Sequence, residues 1–187
     1  LNRKPVSSSD LMHIYLIGYR GCGKSTVGRG LAAELGREVV DTDDLIEQAA
    51  GRSIAEIFAS EGEAGFRDRE SQAIASVASS SATSPAVVAL GGGAVLRQSN
   101  REVLSRTGQC IWLQGDPQLL YARIVGDAHS GDRRPDLTDQ GGYAEVVEIL
   151  AIREPIYRQL AQRIVNTDGK TPDEVKAEIL LWVNSPA

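Results

Sequence analysis

The chain has 187 residues and a mass of 20.0 kDa, with 42% hydrophobic and 24% charged residues. These are ordinary globular values, and they exclude disordered, collagen-like and fibrous classes. Twenty Lys and Arg against twenty-five Asp and Glu give a net charge of −5, so nucleic acid and acidic membranes are poor partners and any basic site must be local.

Two cysteines, Cys22 and Cys110, cannot build a disulfide framework or a zinc site alone. They read as reduced thiols in a cytoplasmic protein. No run reaches the ~20 apolar residues that span a bilayer. Residues 1–12 are expected to be a polar N-terminal tail, carrying Pro5 and Ser7-Ser8-Ser9 and lacking the apolar stretch of a secretory signal. Residues 13–187 are expected to form a single domain.

The elements follow in chain order. His13 to Ile17 is the first strand, followed by a glycine-rich turn and a helix with Val27, Leu31 and Leu35 at four-residue spacing. Glu38 to Val40 is a second strand leading into Asp41-Thr42-Asp43, and the next helix closes at Gly51. Ser53-Ile54-Ala55-Glu56 is a capping box opening a short helix, and Glu63 to about Ala78 forms a longer one. The apolar run Ala86 to Leu90 stops at Gly91-Gly92-Gly93; a helix near Asn100 to Arg106 then precedes the strand Cys110 to Leu113. Asp116-Pro117 supplies an N-cap and first-turn proline. Gly126 to Gly142 has no apolar period, four glycines and several charges, and reads as a mobile loop. A helix from Tyr143 to Ala161 contains Pro155, which distorts the backbone beside Arg153. A short strand at Arg163 to Val165 and a helix opened by Thr171-Pro172-Asp173-Glu174 complete the chain. Such repeated alternation implies one α/β domain with a parallel sheet covered on both faces.

Gly18-Tyr19-Arg20-Gly21-Cys22-Gly23-Lys24-Ser25 fits the G-x-x-x-x-G-K-[ST] pattern in full, between a strand and an amphipathic helix. Its glycines let successive N–H groups face a polyphosphate, and the helix adds its positive N-terminal end. Lys24 can reach the β- and γ-phosphates and Ser25 can coordinate Mg²⁺, so the chain is expected to bind a nucleoside triphosphate. Cys22 is a small side chain suited to the loop's space; redox regulation is the alternative.

The phosphate loop alone serves switches, motors and small-molecule kinases alike. Asp41 and Asp43 lie two residues apart at a strand end, so strand period points both the same way. One can serve a magnesium ion and the other an acceptor hydroxyl; capping of the next helix is the alternative. Arg67 and Glu70 share a helical face with Ile74 and Val77, and Arg153 lies on the stripe of Val146, Leu150 and Tyr157. Charges on an inward stripe are unusual and point to a ligand, with a surface ion pair of Arg67 and Glu70 as the alternative. Gly91-Gly92-Gly93 at a strand end offers a shelf without side chains, or a bare turn. Together these residues describe a pocket for a small hydroxylated carboxylic acid. A gluconate or nucleoside monophosphate kinase is the nearest enzyme alternative. A nucleotide switch would be expected to carry N-K-x-D, which the chain lacks.

At these residues the chain closely resembles the shikimate kinases. The shared segments run from about Ile14 to Leu181: G-Y-R-G-C-G-K-S-T-V-G-R, D-T-D, G-R-S-I-A-E-I-F, G-E-A-G-F-R-D-R-E, L-G-G-G-A-V, R-P, R-E-P-I-Y-R and N-T-D-G-K-T-P. The resemblance implies a P-loop kinase fold with a five-stranded parallel sheet of order 2-3-1-4-5. It implies ATP and Mg²⁺ as cofactors, and transfer of phosphate to the 3-hydroxyl of shikimate. Lys24, Asp43 and Arg134 would then be catalytic, with Asp43 accepting the reacting proton. Gly21, Cys22, Gly23, Lys24, Ser25 and Thr26 would hold phosphates, with Arg123, Lys170 and Pro172 on the adenine side. Arg67, Arg153, Gly91, Gly92 and Gly93 would bind shikimate beside Asp43. Ser25 would ligate the metal directly and Asp41 through water. The segment 126–142, carrying Arg134 before Pro135, would be a lid. It is longer than usual in the family, and Asp136 stands before Leu137 where two leucines are frequent. A monomer acting on small molecules, with neither nucleic acid nor membrane as partner, completes the expectation.

Overall fold

Strand His13–Ile17 (β1) is buried along its whole length, so its side chains alternate between two apolar faces instead of between core and water. Ile14 and Leu16 join one hydrophobic cluster, and Tyr15 and Ile17 another on the opposite face of the sheet. This requires helices on both sides. The computed structural model describes residues 12–80, 83–126 and 141–185. After β1 come helix Lys24–Leu35 (α1), strand Val39–Asp41 (β2), and helices Thr42–Ala50 (α2) and Ile54–Ala78 (α3). Strand Val87–Ala89 (β3), helix Gln98–Thr107 (α4), strand Gly108–Gln114 (β4) and helix Pro117–Gly126 (α5) follow. Helix Gly142–Leu160 (α6), strand Arg163–Asn166 (β5) and helix Pro172–Val183 (α7) end the described chain.

The five strands are parallel in the order β2-β3-β1-β4-β5, as expected. Residues of α1, α5 and α7 pack on one face, while Ile74, Val77 and Leu104 of α3 and α4 pack on the other. Helix α6 serves both clusters, giving Val146, Ile149 and Leu150 to the first and Tyr157 and Leu160 to the second. The chain reverses its winding direction at β1, and in such sheets ligands bind at the carboxyl ends of the strands beside that reversal.

Local signals act as the sequence predicts. Both capping boxes form, Ser53 with Glu56 and Thr171 with Glu174. The Asp116 carboxylate accepts from the N–H of Gln118 at 2.8 Å. The two helices expected around residues 53–78 form one element, broken at Gly62, whose φ of 69° only glycine adopts freely. Helix α6 continues through Pro155 as a single element. The tail 1–11 and most of the expected lid, including Arg134, lie outside the described residues.

His13 ties the sheet to α3. Its Nε2 donates to the carbonyl of Val77 and its Nδ1 accepts from the N–H of Ala86, both at 2.9 Å. This pairing needs the neutral ring, and burial lowers the pKa below the ordinary 6.5. The unfolded chain therefore takes up the proton first, so this stabilisation is complete above about pH 6.5 and is lost as pH falls below it. His13→Leu should cost about 2 kcal/mol by leaving the Ala86 N–H unpaired, since the Val77 carbonyl keeps its bonds from Ser80. Urea denaturation between pH 7.5 and 5.5 should show a decline in the native chain that the variant lacks.

Candidate active site

Four of the five strands deliver residues to one edge at their carboxyl ends. β1 runs into the phosphate loop at Gly18, β2 ends at Asp41, β3 leads to Gly91, and Thr167 follows β5. The loop's glycines take positive φ values at Gly18, Gly21 and Gly23. Gly18 has a second reason to be glycine, since a Cβ there would lie 2.5 Å from the carbonyl oxygen of Leu113. The Lys24 ammonium donates to the carbonyls of Gly18 and Tyr19, each at 2.9 Å, which holds its charge over the loop. Thr26 is exposed on α1, while Cys22 is buried with its Sγ 3.7 Å from Lys24 Nζ.

The Ser25 hydroxyl donates to Asp41 Oδ2 at 2.7 Å, joining α1 to the end of β2. Burial raises the Asp41 pKa, opposed by the bond from Ser25 and reinforced by the charges of Asp43 and Asp44. Two adjacent hard oxygens, one of them a carboxylate crowded by like charges, suit Mg²⁺. Among the described residues no group of three or more His, Cys, Asp or Glu could hold a metal. Such a cation would accordingly depend on water and phosphate oxygens as further ligands, the usual arrangement for magnesium.

The reading of Asp41 and Asp43 as neighbours on one strand needs correction. The strand stops at Asp41, which caps α2 by accepting from the N–H of Asp43 at 3.0 Å. Asp43 thus stands half-buried in the first helical turn, and helical geometry sets its direction. Thr42 between them has a role that sequence reasoning passed over. Its buried hydroxyl donates to the Ala89 carbonyl and accepts from the Gly91 N–H, so D-T-D is bonded to the start of the glycine shelf.

Arg67 and Arg153 converge on that shelf. Each is 6% exposed. A Cβ on Gly93 would overlap the Arg67 guanidinium, and one on Gly92 would lie 3.4 Å from Arg153 Nη1 and 3.3 Å from the Gly18 oxygen. The two arginines and the phosphate loop therefore meet the same stretch of bare backbone. Arg67 donates to Glu70 at 2.9 Å and to Glu63 at 3.1 Å. Burial works against its charge, but these carboxylates outweigh that and hold its pKa above the ordinary value. Arg153 lies 5.9 Å from the Tyr19 ring centre.

On the far side of the loop, Arg123 donates to the Gly21 carbonyl and to both the hydroxyl and carbonyl of Thr167. This unites the phosphate loop with the 167–171 turn. Lys170 is drawn elsewhere, to Glu178 at 2.6 Å beside Arg163, and Pro172 opens α7. Glu145 of α6, wholly buried, accepts from Arg20 of the loop at 2.8 Å. Nothing in its sequence neighbourhood signals this partner 125 residues away. Cys110 is buried away from the site's polar groups, and burial pushes its thiol up to about 12.

A sequence model of the family described as shikimate kinase matches residues 20–184. A relative from Rhodopirellula baltica named shikimate kinase is 49% identical over 168 residues, covering 90% of this chain and 88% of its own. One of the same name from Symbiobacterium thermophilum is 47% identical over 169 residues, covering 90% and 94%. The solved shikimate kinase of Acinetobacter baumannii, in complex with shikimate, superposes with a TM-score of 0.85 at 35% identity and covers 94% of each chain.

The Arg67–Glu70 pair lends itself to a test of stability alone. Glu70→Leu should cost about 3 kcal/mol, because it leaves the buried Arg67 guanidinium with only the exposed Glu63 as a carboxylate partner. Glu63→Ala, at an exposed position, should cost far less; denaturant midpoints of the two variants compare them directly.

Proposed function

The chain belongs to the shikimate kinase family, and we propose that it transfers the γ-phosphoryl group of ATP to the 3-hydroxyl of shikimate, giving shikimate 3-phosphate and ADP. One observation carries the assignment of the acceptor site. The Gly92-Gly93 backbone touches Arg153 and Arg67 while abutting the carbonyl of Gly18 in the phosphate loop. An acid lying on this shelf would set its carboxylate between two guanidinium groups and its ring within reach of the phosphates. Phosphoryl transfer asks mainly for such positioning and for charge stabilisation, because its transition state is loose.

In this reading Asp43 orients the acceptor hydroxyl and takes its proton as the oxygen bonds to phosphorus. Lys24 moves its ammonium from the Gly18 and Tyr19 carbonyls to the phosphoryl oxygens, and the loop's N–H groups hold the remaining phosphates. Bound Mg²⁺ would neutralise phosphate charge, with Ser25 as direct ligand and Asp41 acting through water. Arg123, fixed beside Gly21 and Thr167, would flank the adenine side together with the turn carrying Lys170 and Pro172. Arg134 would meet the transferring group, an assignment that rests on the sequence. The reading includes one kinase domain over residues 13–187, acting as a cytoplasmic monomer on small molecules. Among the described residues no helix is long and apolar enough to cross a membrane.

ADP release measured with and without shikimate tests the reaction, and release should depend on the acid. Lys24→Ala should lower turnover at least about 100-fold in a folded protein. Asp43→Asn should lower kcat by about 100-fold or more with little change in the KM for ATP. An unchanged kcat would reduce Asp43 to a helix-turn residue.

The two arginines should differ. Arg67 already contacts two carboxylates, whereas the contacts described for Arg153 are with Tyr19, Tyr157 and Gly92. Arg153→Ala should therefore raise the KM for shikimate more than Arg67→Ala does, with ATP affinity little altered in either. Shikimate methyl ester should be a poor substrate of the native enzyme for the same reason.

A further inference from the structure

Tyr157 lies one helical turn beyond Arg153 on α6, on the same side of the helix. Its side chain is wholly buried, with the ring 5.7 Å from that of Trp112. A tyrosine in such a place is ordinarily core. Here the hydroxyl donates to the carbonyl oxygen of Gly92, in the middle of the shelf. Burial raises the phenol pKa, so the group remains a donor at any working pH. A Cβ on Gly92 would stand 3.6 Å from that hydroxyl and 3.4 Å from Arg153 Nη1, so one turn of α6 grips this glycine at two points.

The consequence follows from peptide geometry. The described residues contain no cis peptide bond, and in a trans peptide the N–H points opposite to the C=O. Fixing the Gly92 carbonyl toward Tyr157 therefore fixes the Gly93 N–H in the opposite direction. The Ala94 N–H closes a turn onto the Gly91 carbonyl at 3.0 Å with Gly92 and Gly93 at its centre, and a central peptide between two glycines can face either way in such a turn unless a further bond holds it. Thr42 restrains the shelf at Gly91, and Arg67 packs against it at Gly93. Tyr157 supplies the restraint between them.

We propose that Tyr157 is a positioning residue of the acceptor site, holding the Gly92–Gly93 peptide so that the Gly93 N–H is presented as a donor to a hydroxyl of the acceptor. This rests on the reaction proposed above for its substrate. Tyr157→Phe removes the hydroxyl and keeps the ring against Trp112, so the core stays filled. The order parameter of the Gly93 amide, measured by NMR relaxation without ligand, should fall from the rigid value of about 0.85 to below about 0.6, while amides of β4 stay as they were. In steady-state kinetics the KM for shikimate should rise about tenfold, with kcat lowered less than threefold and the KM for ATP changed less than twofold. An unchanged order parameter at Gly93, or an unchanged KM for shikimate, would overturn the proposal. Equal rises in both KM values would also overturn it, since they would mark Tyr157 as a core residue only. A native chain inactive toward shikimate would instead defeat the reaction itself. The ligand-free order parameter would then still decide whether Tyr157 holds the peptide.

Discussion

Two backbones without side chains meet at the centre of this protein. Gly18 opens the phosphate loop after β1, and Gly92 follows β3, the strand paired beside it. A single Cβ on Gly92 would sit 3.3 Å from the Gly18 oxygen, tighter than the neighbouring strand ends readily allow. In the proposed reading, that contact sets how near an acid on the shelf would come to phosphates in the loop. Parallel pairing of β1 and β3 brings the two turns out at the same edge, and glycine at 92 lets its backbone come up to the Gly18 carbonyl, while glycine at 18 makes room for the Leu113 carbonyl on β4. Side chains reaching the junction must come from elsewhere, and each arrives from a different element: Arg67 from α3, Arg153 and Tyr157 from α6, Thr42 from the start of α2.

Helix α6 has the most demanding placement. Its first half packs with α5 and the α1 side of the sheet, and its second half with Trp112 on the opposite side. A helix that serves both apolar clusters cannot shift toward one without exposing surface of the other. Along this constrained helix lie Glu145, which pairs with Arg20 of the phosphate loop, and then Arg153 and Tyr157 at Gly92. The apolar stripe thus fixes the reach of three polar groups that it does not itself contain. Buried polar groups are costly to strand, and the ion pair and the phenol bond meet that requirement while setting the geometry of the site.

Much of this was legible in the sequence because the signals were local or periodic. The phosphate loop needs only its own spacing and flanks. The capping boxes at Ser53 and Thr171 are complete within four residues, and strand–helix alternation led to the sheet. The inward stripe exposed Arg67 and Arg153 because a charge breaks an apolar period visibly. Partners distant in the chain left no such trace. Thr42 and Tyr157 suit a helix start and a core stripe equally well, so their bonds to the glycine shelf appear only when the strands are assembled. Asp43 was misdirected for a related reason. Period-two logic holds only while the chain remains a strand, and Asp41 ends it by capping the next helix.

The site's cations are held in two different ways, and the difference separates its two halves chemically. Lys24 is held by neutral carbonyls of Gly18 and Tyr19, which orient the ammonium without cancelling its charge. With the loop's N–H groups and the N-terminal end of α1, that leaves a positive field suited to a polyphosphate. Arg67 is held by Glu70 and Glu63, so much of its charge is already answered, and what it offers is a fixed planar surface and directed N–H groups. A polyanion gains little there. A monocarboxylate needs only one further pair of directed bonds, which Arg153 can supply from the other side of the shelf. In the proposed reading, two anionic ligands would then lie side by side in a chain of net charge −5. Each half is attractive to its own anion because its cations were ordered by different partners before either arrived.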